Sequence, residues 1–263
     1  MYPDYVSDLN NMGQIIAVVN QKGGVGKTTT AVNLGAYLAS LGKFVLLVDM
    51  DPQANATSGL GIDHRNLPHG IYETLIGAVP FKHIIKDTPH PGYRVAPATV
   101  NLAGASIELV DVPNREYRLR DALMEVRGAY DYIFIDSPPS LGLLTVNTLA
   151  AADKVLIPVQ AEYYALEGLG QLIETVNLVK ENLNPNLEIL GALITMFDGR
   201  NRLSQEVMEE LYKFFPNRIY RTVIPRSVRL AEAPSFGKSI LHYDPSSKGG
   251  VAYERLAREL LNI

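Results

Sequence analysis

Cysteine is missing from all 263 residues, so disulfides, thiol nucleophiles and cysteine-held metal clusters are excluded. Missing too is any run of about 18 apolar residues, the length a membrane-crossing helix needs. The opening Met1-Tyr2-Pro3-Asp4-Tyr5 has neither the basic region nor the apolar run of a secretory leader. A soluble, cytoplasmic protein is therefore expected. Repeats, low-complexity stretches and Pro/Ser-rich linkers are also lacking, which leaves nothing to divide the chain. Residues 14–263 read as one domain, and at 47% hydrophobic they can bury one sizeable core. Residues 1–13 are polar and precede the first strand. They read as a disordered tail or, with Met12 as an alternative start, as a start-site artefact.

Strong net charge is absent as well. The formal value is −4, which argues against a protein coated in basic residues, but the distribution is uneven. Arg200 to Lys238 holds eight basic residues against four acidic, so this segment is +4 and the remainder −8. A solvated charged face is the plain explanation for such a cluster. Within it, Arg218, Arg221, Arg226 and Arg229 follow one another with no acid between them, which favours an anionic partner.

What the chain does contain is a glycine-rich loop, Asn20-Gln21-Lys22-Gly23-Gly24-Val25-Gly26-Lys27-Thr28-Thr29-Thr30, between an apolar strand and a helical stretch. Gly23, Gly24 and Gly26 can adopt backbone conformations closed to other residues. Successive N–H groups can then turn inward around phosphate oxygens at the positive end of the helix. Lys27 supplies a point charge to the β- and γ-phosphates, and the Thr28 hydroxyl is placed for Mg²⁺. The loop departs from G-x-x-x-x-G-K-[ST] at its start, where Gln21 stands in place of the first glycine and a second lysine, Lys22, follows. Two lysines flanking Gly-Gly-x-Gly suggest one for the chain's own nucleotide and one free to reach elsewhere.

Apolar strands alternate with helical stretches in the βαβ rhythm of a buried parallel sheet. The expected fold is α/β: a mostly parallel central sheet with helices on both faces, of the phosphate-loop NTPase type. Strands are expected at Gln14 to Val19, Phe44 to Val48, Arg94 to Ala96, Tyr132 to Ile135, Lys154 to Val159, Ile189 to Thr195 and Arg221 to Ile224. Helices are expected at Thr28 to Leu41, with Gly42 as a stop, and near Ala165 to Leu183, Ser204 to Phe215 and Gly250 to Leu261. Asp49 and Asp51 end the second strand on one side of it, and Asp136 ends the fourth. A lone strand-end Asp is most often a cap or turn former. Three beside a phosphate loop, at the carboxyl ends of an open α/β sheet, should converge on a ligand.

Lys22-Gly23-Gly24-Val25-Gly26-Lys27-Thr28 resembles the deviant Walker A motif, with its signature lysine, of the ParA/MinD superfamily. Asp49-Met50-Asp51-Pro52-Gln53-Ala54-Asn55 is similar to that group's second acidic motif, and Ile135-Asp136-Ser137-Pro138-Pro139-Ser140 to its Walker B region. Pro158 to Gly168 and Val223 to Ser235 are similar to the Soj branch of ParA, and the likeness runs from about Gln14 to Ile263. The resemblance implies ATP and Mg²⁺ as cofactors. Gly23, Gly24, Val25, Gly26, Lys27, Thr28 and Thr29 would form the phosphate loop, and Lys22 would cross a dimer interface to the partner's ATP. Asp51 would orient or activate the attacking water, while Asp49 and Asp136 would hold the magnesium shell with Thr28. Pro225 and Ser227 would touch the adenine side, although relatives carry Asn where Ser227 stands. Arg200 and Arg229 match positions associated with DNA binding. Such proteins form ATP sandwich dimers, bind double-stranded DNA at the nucleoid without sequence preference, and hydrolyse ATP slowly until a ParB-type partner stimulates them.

Rival readings are weaker on the same residues. A MinD-like membrane-positioning ATPase should end in a basic amphipathic extension, whereas Tyr253 to Leu261 carries both signs of charge and reads as a packing helix. A nitrogenase-iron-protein-like reductase needs cysteines. A metabolic ligase of the dethiobiotin-synthetase kind gives no reason for the arginine cluster. The expected function is an ATP-switched dimer in chromosome or plasmid segregation, without a membrane partner.

Overall fold

The computed structural model describes residues 12–162, 167–216 and 218–262. The sequence expectations for residues 1–11, and for Ala165 and Leu166 at the start of one expected helix, fall outside these. Seven strands form one sheet: β1 (Gln14–Val18), β2 (Val45–Asp49), β3 (Lys86–Asp87), β4 (Tyr93–Ala96), β5 (Tyr132–Asp136), β6 (Lys154–Gln160) and β7 (Glu188–Thr195). Their order is β3-β4-β2-β5-β1-β6-β7. All neighbours are parallel except β3 on β4, which is antiparallel.

The strands are apolar at nearly every position because both faces are covered. Alternation sorts them. Ile15 and Ala17 of β1, with Leu46 and Val48 of β2, face one core; Ile16, Val18, Val45 and Leu47 face the other. On the first side the core includes residues of helices Leu143–Ala151, Glu167–Asn182 and Arg202–Phe214. On the second lie helices Lys27–Ser40 and Lys248–Leu261. The Thr30 and Tyr253 hydroxyls are hydrogen-bonded at 3.2 Å between those two helices. The last helix buries Tyr253, Leu256, Ala257 and Leu260, so it packs as its mixed charge implied. Gly42 takes φ 84° after the first helix and ends it as expected. No helix among the described residues is long and apolar enough to cross a membrane.

One expected strand is corrected. Among the described residues Arg221 to Ile224 forms no strand; isolated parallel bridges flank it, Ile219 with Ala192 of β7 and Pro225 with Phe197 just beyond β7. The reason is a competing acceptor. Glu259 of the last helix takes the amide of Arg221 at 2.7 Å and that of Thr222 at 3.0 Å, together with the Thr222 hydroxyl at 2.7 Å. The ladder on β7 is therefore interrupted where those amides turn away.

β1 sits centrally, with β5 and β2 on one side and β6 and β7 on the other. Chain connections diverge there, and such a switch point opens a crevice beyond the carboxyl ends of the strands.

Candidate functional site

The loop after β1 is pinned from three directions. Asn20 donates to the Pro158 carbonyl at 2.8 Å and accepts the Lys22 amide at 2.9 Å. Gln21 donates to the Gly168 carbonyl at 2.9 Å, and the Thr195 hydroxyl to the Val25 carbonyl at 2.7 Å. Gly24 and Gly26 take φ 73° and 92°, values that L side chains rarely adopt. Thr30 makes the first helical bond, to Gly26 at 2.9 Å. From Gly23 to Thr29 the backbone amides have no acceptor among the described residues. A run of unfilled donors that includes buried Val25 is an anion nest at a helix start.

Lys27 is 7% exposed and folds its ammonium back to donate to the Lys22 carbonyl at 3.2 Å. Burial lowers its pKa, while Asp136 and Asp51 oppose that shift. An open cleft of about 570 Å³ is lined by Gly23, Gly24, Gly26, Lys27, Thr28, Thr29 and Asp51. Its far wall is Met196, Pro234, Ser235 and Lys238. Lys22 is not part of that lining. It lines a separate open cavity with Gln21, Pro139 and Gly168, and its ammonium stands 3.6 Å from Glu162.

The three aspartates converge, each in a different state. Asp49 and Asp136 are register partners on β2 and β5, and both are fully buried. Asp49 accepts from the Thr57 amide at 2.8 Å, the Thr57 hydroxyl at 2.7 Å and the Asp51 amide at 3.1 Å. Burial nevertheless pushes its carboxyl up to about 6. Neither oxygen of Asp136 has a well-formed hydrogen bond. Burial, then the charge of Asp49, raises its pKa well above the carboxylate range, against the pull of Thr28 and Lys27. Asp51, 7% exposed, accepts the Gln53 amide at 3.0 Å on one oxygen, and the other has no partner among the described residues. A buried carboxylate with unused acceptors beside a threonine hydroxyl suits a hard cation.

Other residues fall elsewhere. Pro225 lines a different cavity, and Ser227 starts the short helix Val228–Glu232, outside the lining of either. Bonds from Phe197 to the Ile224 carbonyl and from Arg226 to the Phe197 carbonyl hold Pro225 beside Phe197. Arg200 is 91% exposed and doubly bonded to Asp198 at 3.0 and 2.8 Å. Arg229 is paired with Glu232 at 2.9 Å and Asp244 at 3.5 Å. Met196, at φ 51° a strained non-glycine position, carried no signal in the sequence. Pro234 and Ser235 lay inside a family-like stretch without a role, and Lys238 entered only as a charge.

Sheet, nest and acids together define a phosphate-loop ATPase of the deviant Walker A kind. Residues 13–189 match the family model described as AAA domain. The chain is 58% identical over 249 residues to the sporulation initiation inhibitor protein Soj of Bacillus subtilis (strain 168), covering 95% of this chain and 98% of that one. It is 55% identical over 250 residues to the chromosome partitioning protein ParA of Myxococcus xanthus (strain DK1622), covering 95% and 88%. Its fold matches cobyrinic acid a,c-diamide synthase from Mycobacterium smegmatis, solved with ADP and magnesium, at TM-score 0.85 and 39% identity over 95% of each chain. The chain belongs to the Soj/ParA family of partitioning ATPases.

Proposed function

We propose that the chain is an ATP-operated switch in DNA segregation. With ATP and Mg²⁺ it closes into a sandwich dimer, binds double-stranded DNA irrespective of sequence at the nucleoid, and returns to monomer when a ParB-type partner stimulates hydrolysis. One observation carries this reading: the two lysines of the loop serve different cavities. Lys27 lines the cleft with the unfilled amides, whereas Lys22 lines another opening and its ammonium stands 3.6 Å from the half-exposed Glu162. Such a surface pair is worth roughly 0–1 kcal/mol, so a partner's phosphates can displace it.

Mg²⁺, when bound, neutralises charge between the β- and γ-phosphates. Thr28 and Asp136 would hold it. Asp49 acts one step back, because its bond to the Asp51 amide sets the backbone of the residue proposed to orient the attacking water. The amides of Gly23 to Thr29 and the Lys27 ammonium bind the phosphates.

Sizing chromatography with ATP tests the division of labour. Lys27→Ala is expected to abolish ATP binding. Lys22→Ala should still bind ATP and remain monomeric. A Lys22→Ala protein that dimerises normally would remove the cross-interface role.

A further inference from the structure

We propose that the cleft between the Arg221–Pro225 segment and the last helix anchors the phosphodiester backbone of DNA. The inference rests on the DNA-binding reading above and moves the centre of that surface away from Arg200. This cleft measures about 530 Å³. Arg221, Lys248 and Arg255 line it with Ser246, and no acid is part of the lining. All three cations are exposed. None is in an ion pair or a side-chain hydrogen bond among the described residues.

That sets them apart from five of the eight basic residues between Arg200 and Lys238. Arg200, Arg202, Lys213, Arg226 and Arg229 each have an internal carboxylate partner. A cation already paired must exchange its carboxylate for phosphate and gains little. An unpaired one displaces condensed counterions from the phosphate it neutralises, which is the main source of sequence-independent affinity.

The placement also suits a strand of phosphates. Lys248, Val251 and Arg255 follow one another at i, i+3 and i+7 and share a face of the helix. Lys248 and Arg255 are separated by roughly 10 Å along its axis at about 1.5 Å per residue. Measured along a duplex axis, that is about three base-pair steps at roughly 3.4 Å of rise each. Arg221 stands on the opposite wall, where Glu259 fixes its backbone at 2.7 Å. Val251 and Pro225 give the cleft an apolar floor against which sugars can lie. Arg229 adjoins it through Asp244, which also accepts from the Ser246 hydroxyl at 3.0 Å. It is thus a flanking contact.

The test is binding of the ATP-bound protein to a random-sequence duplex, followed by fluorescence anisotropy across a salt series. Wild type is compared with Arg200→Ala and with the triple variant Arg221→Ala, Lys248→Ala, Arg255→Ala. Thermal melting and ATP-driven dimerisation confirm that the triple variant is folded. The triple variant should bind more than ~10-fold more weakly at ~50 mM salt, with the slope of log affinity against log salt reduced by about 0.9 per lost contact. Arg200→Ala should change both less, and Arg255→Lys in an otherwise wild-type cleft, which keeps the charge, should retain most of the affinity. If wild type binds DNA and the triple variant binds equally well, the cleft is rejected while the DNA reading stands. If wild type with ATP does not bind DNA, both fall. Vesicles containing phosphatidylglycerol form the remaining arm: binding there that the triple variant loses, with DNA binding intact, would make the cleft a lipid-headgroup site and overturn the assignment.

Discussion

Asp51, proposed above to orient the attacking water, is held in place by bonds at both its side chain and its amide. One oxygen is spent on the Gln53 amide and its own amide is tied to Asp49, so the carboxylate is fixed before any nucleotide arrives. Positioning a water contributes to the transition state and little to ground-state affinity. Asp51→Ala is expected to keep ATP affinity and dimerisation while hydrolysis slows by roughly 10²-fold or more, the usual range for a lost acid–base group. Single-turnover hydrolysis on a preformed complex measures it. Weaker ATP binding with unchanged turnover would make Asp51 a binding residue instead. Asp136 is a contrast: burial and the charge of Asp49 favour its neutral form, and Thr28 and Lys27 oppose that shift.

At the scale of elements, the edge beside β7 is governed by the last helix. Glu259 takes two amides and a hydroxyl from Arg221 and Thr222, and so decides that this stretch is a bridge-and-turn segment rather than an eighth strand. Hydrogen bonds to a charged acceptor contribute about 1.5–3 kcal/mol each when buried, less where water can replace them. Because Arg221 is exposed, Glu259→Ala should lower stability by only about 1–3 kcal/mol in total, read as a reduced urea midpoint at unchanged slope. Glu259→Gln, which keeps one acceptor oxygen, should fall between. An unchanged midpoint would mean that Arg221 and Thr222 are held by β7 alone.

For the whole molecule, the charge arithmetic makes the proposed DNA surface conditional on the proposed assembly. A chain of net charge −4 should bind a polyanion poorly by itself, whereas a dimer doubles the phosphate contacts on one face. If the dimer neutralises about six phosphates, affinity should fall roughly 10³-fold between ~50 and ~200 mM salt, with little dependence on DNA sequence. Binding should be strong with ATP and weak with ADP or without nucleotide. Equal affinity in the three forms would refute the switch. Gly23 offers a matched control, since an added Cβ there would meet only Pro139 at 3.9 Å within the chain. Gly23→Val should therefore fold and bind ATP yet resist dimerisation, because a branched side chain obstructs only the partner.

The phosphate loop, its lysines and the strand-end acids were legible in the sequence because each is a local pattern. A glycine run between an apolar strand and a helix dictates its own backbone, and an acid at the end of a buried strand must lie at the sheet's edge. Six of the seven expected strands stand close to their limits for the same reason. What depended on distant segments was not legible. Met196, Pro234, Ser235 and Lys238 reach the cleft from far along the chain, and Pro225 sits apart from it because Phe197 holds it there. Glu259 undoes a strand 37 residues away. Which arginines are free depended in part on the fold: Arg226 is paired with Glu162, 64 residues away, whereas nothing in the described chain pairs with the Arg221 side chain. Backbone conformation follows from neighbours in sequence. Hydrogen-bond partners and counter-charges follow from neighbours in space, and only tertiary packing determines those.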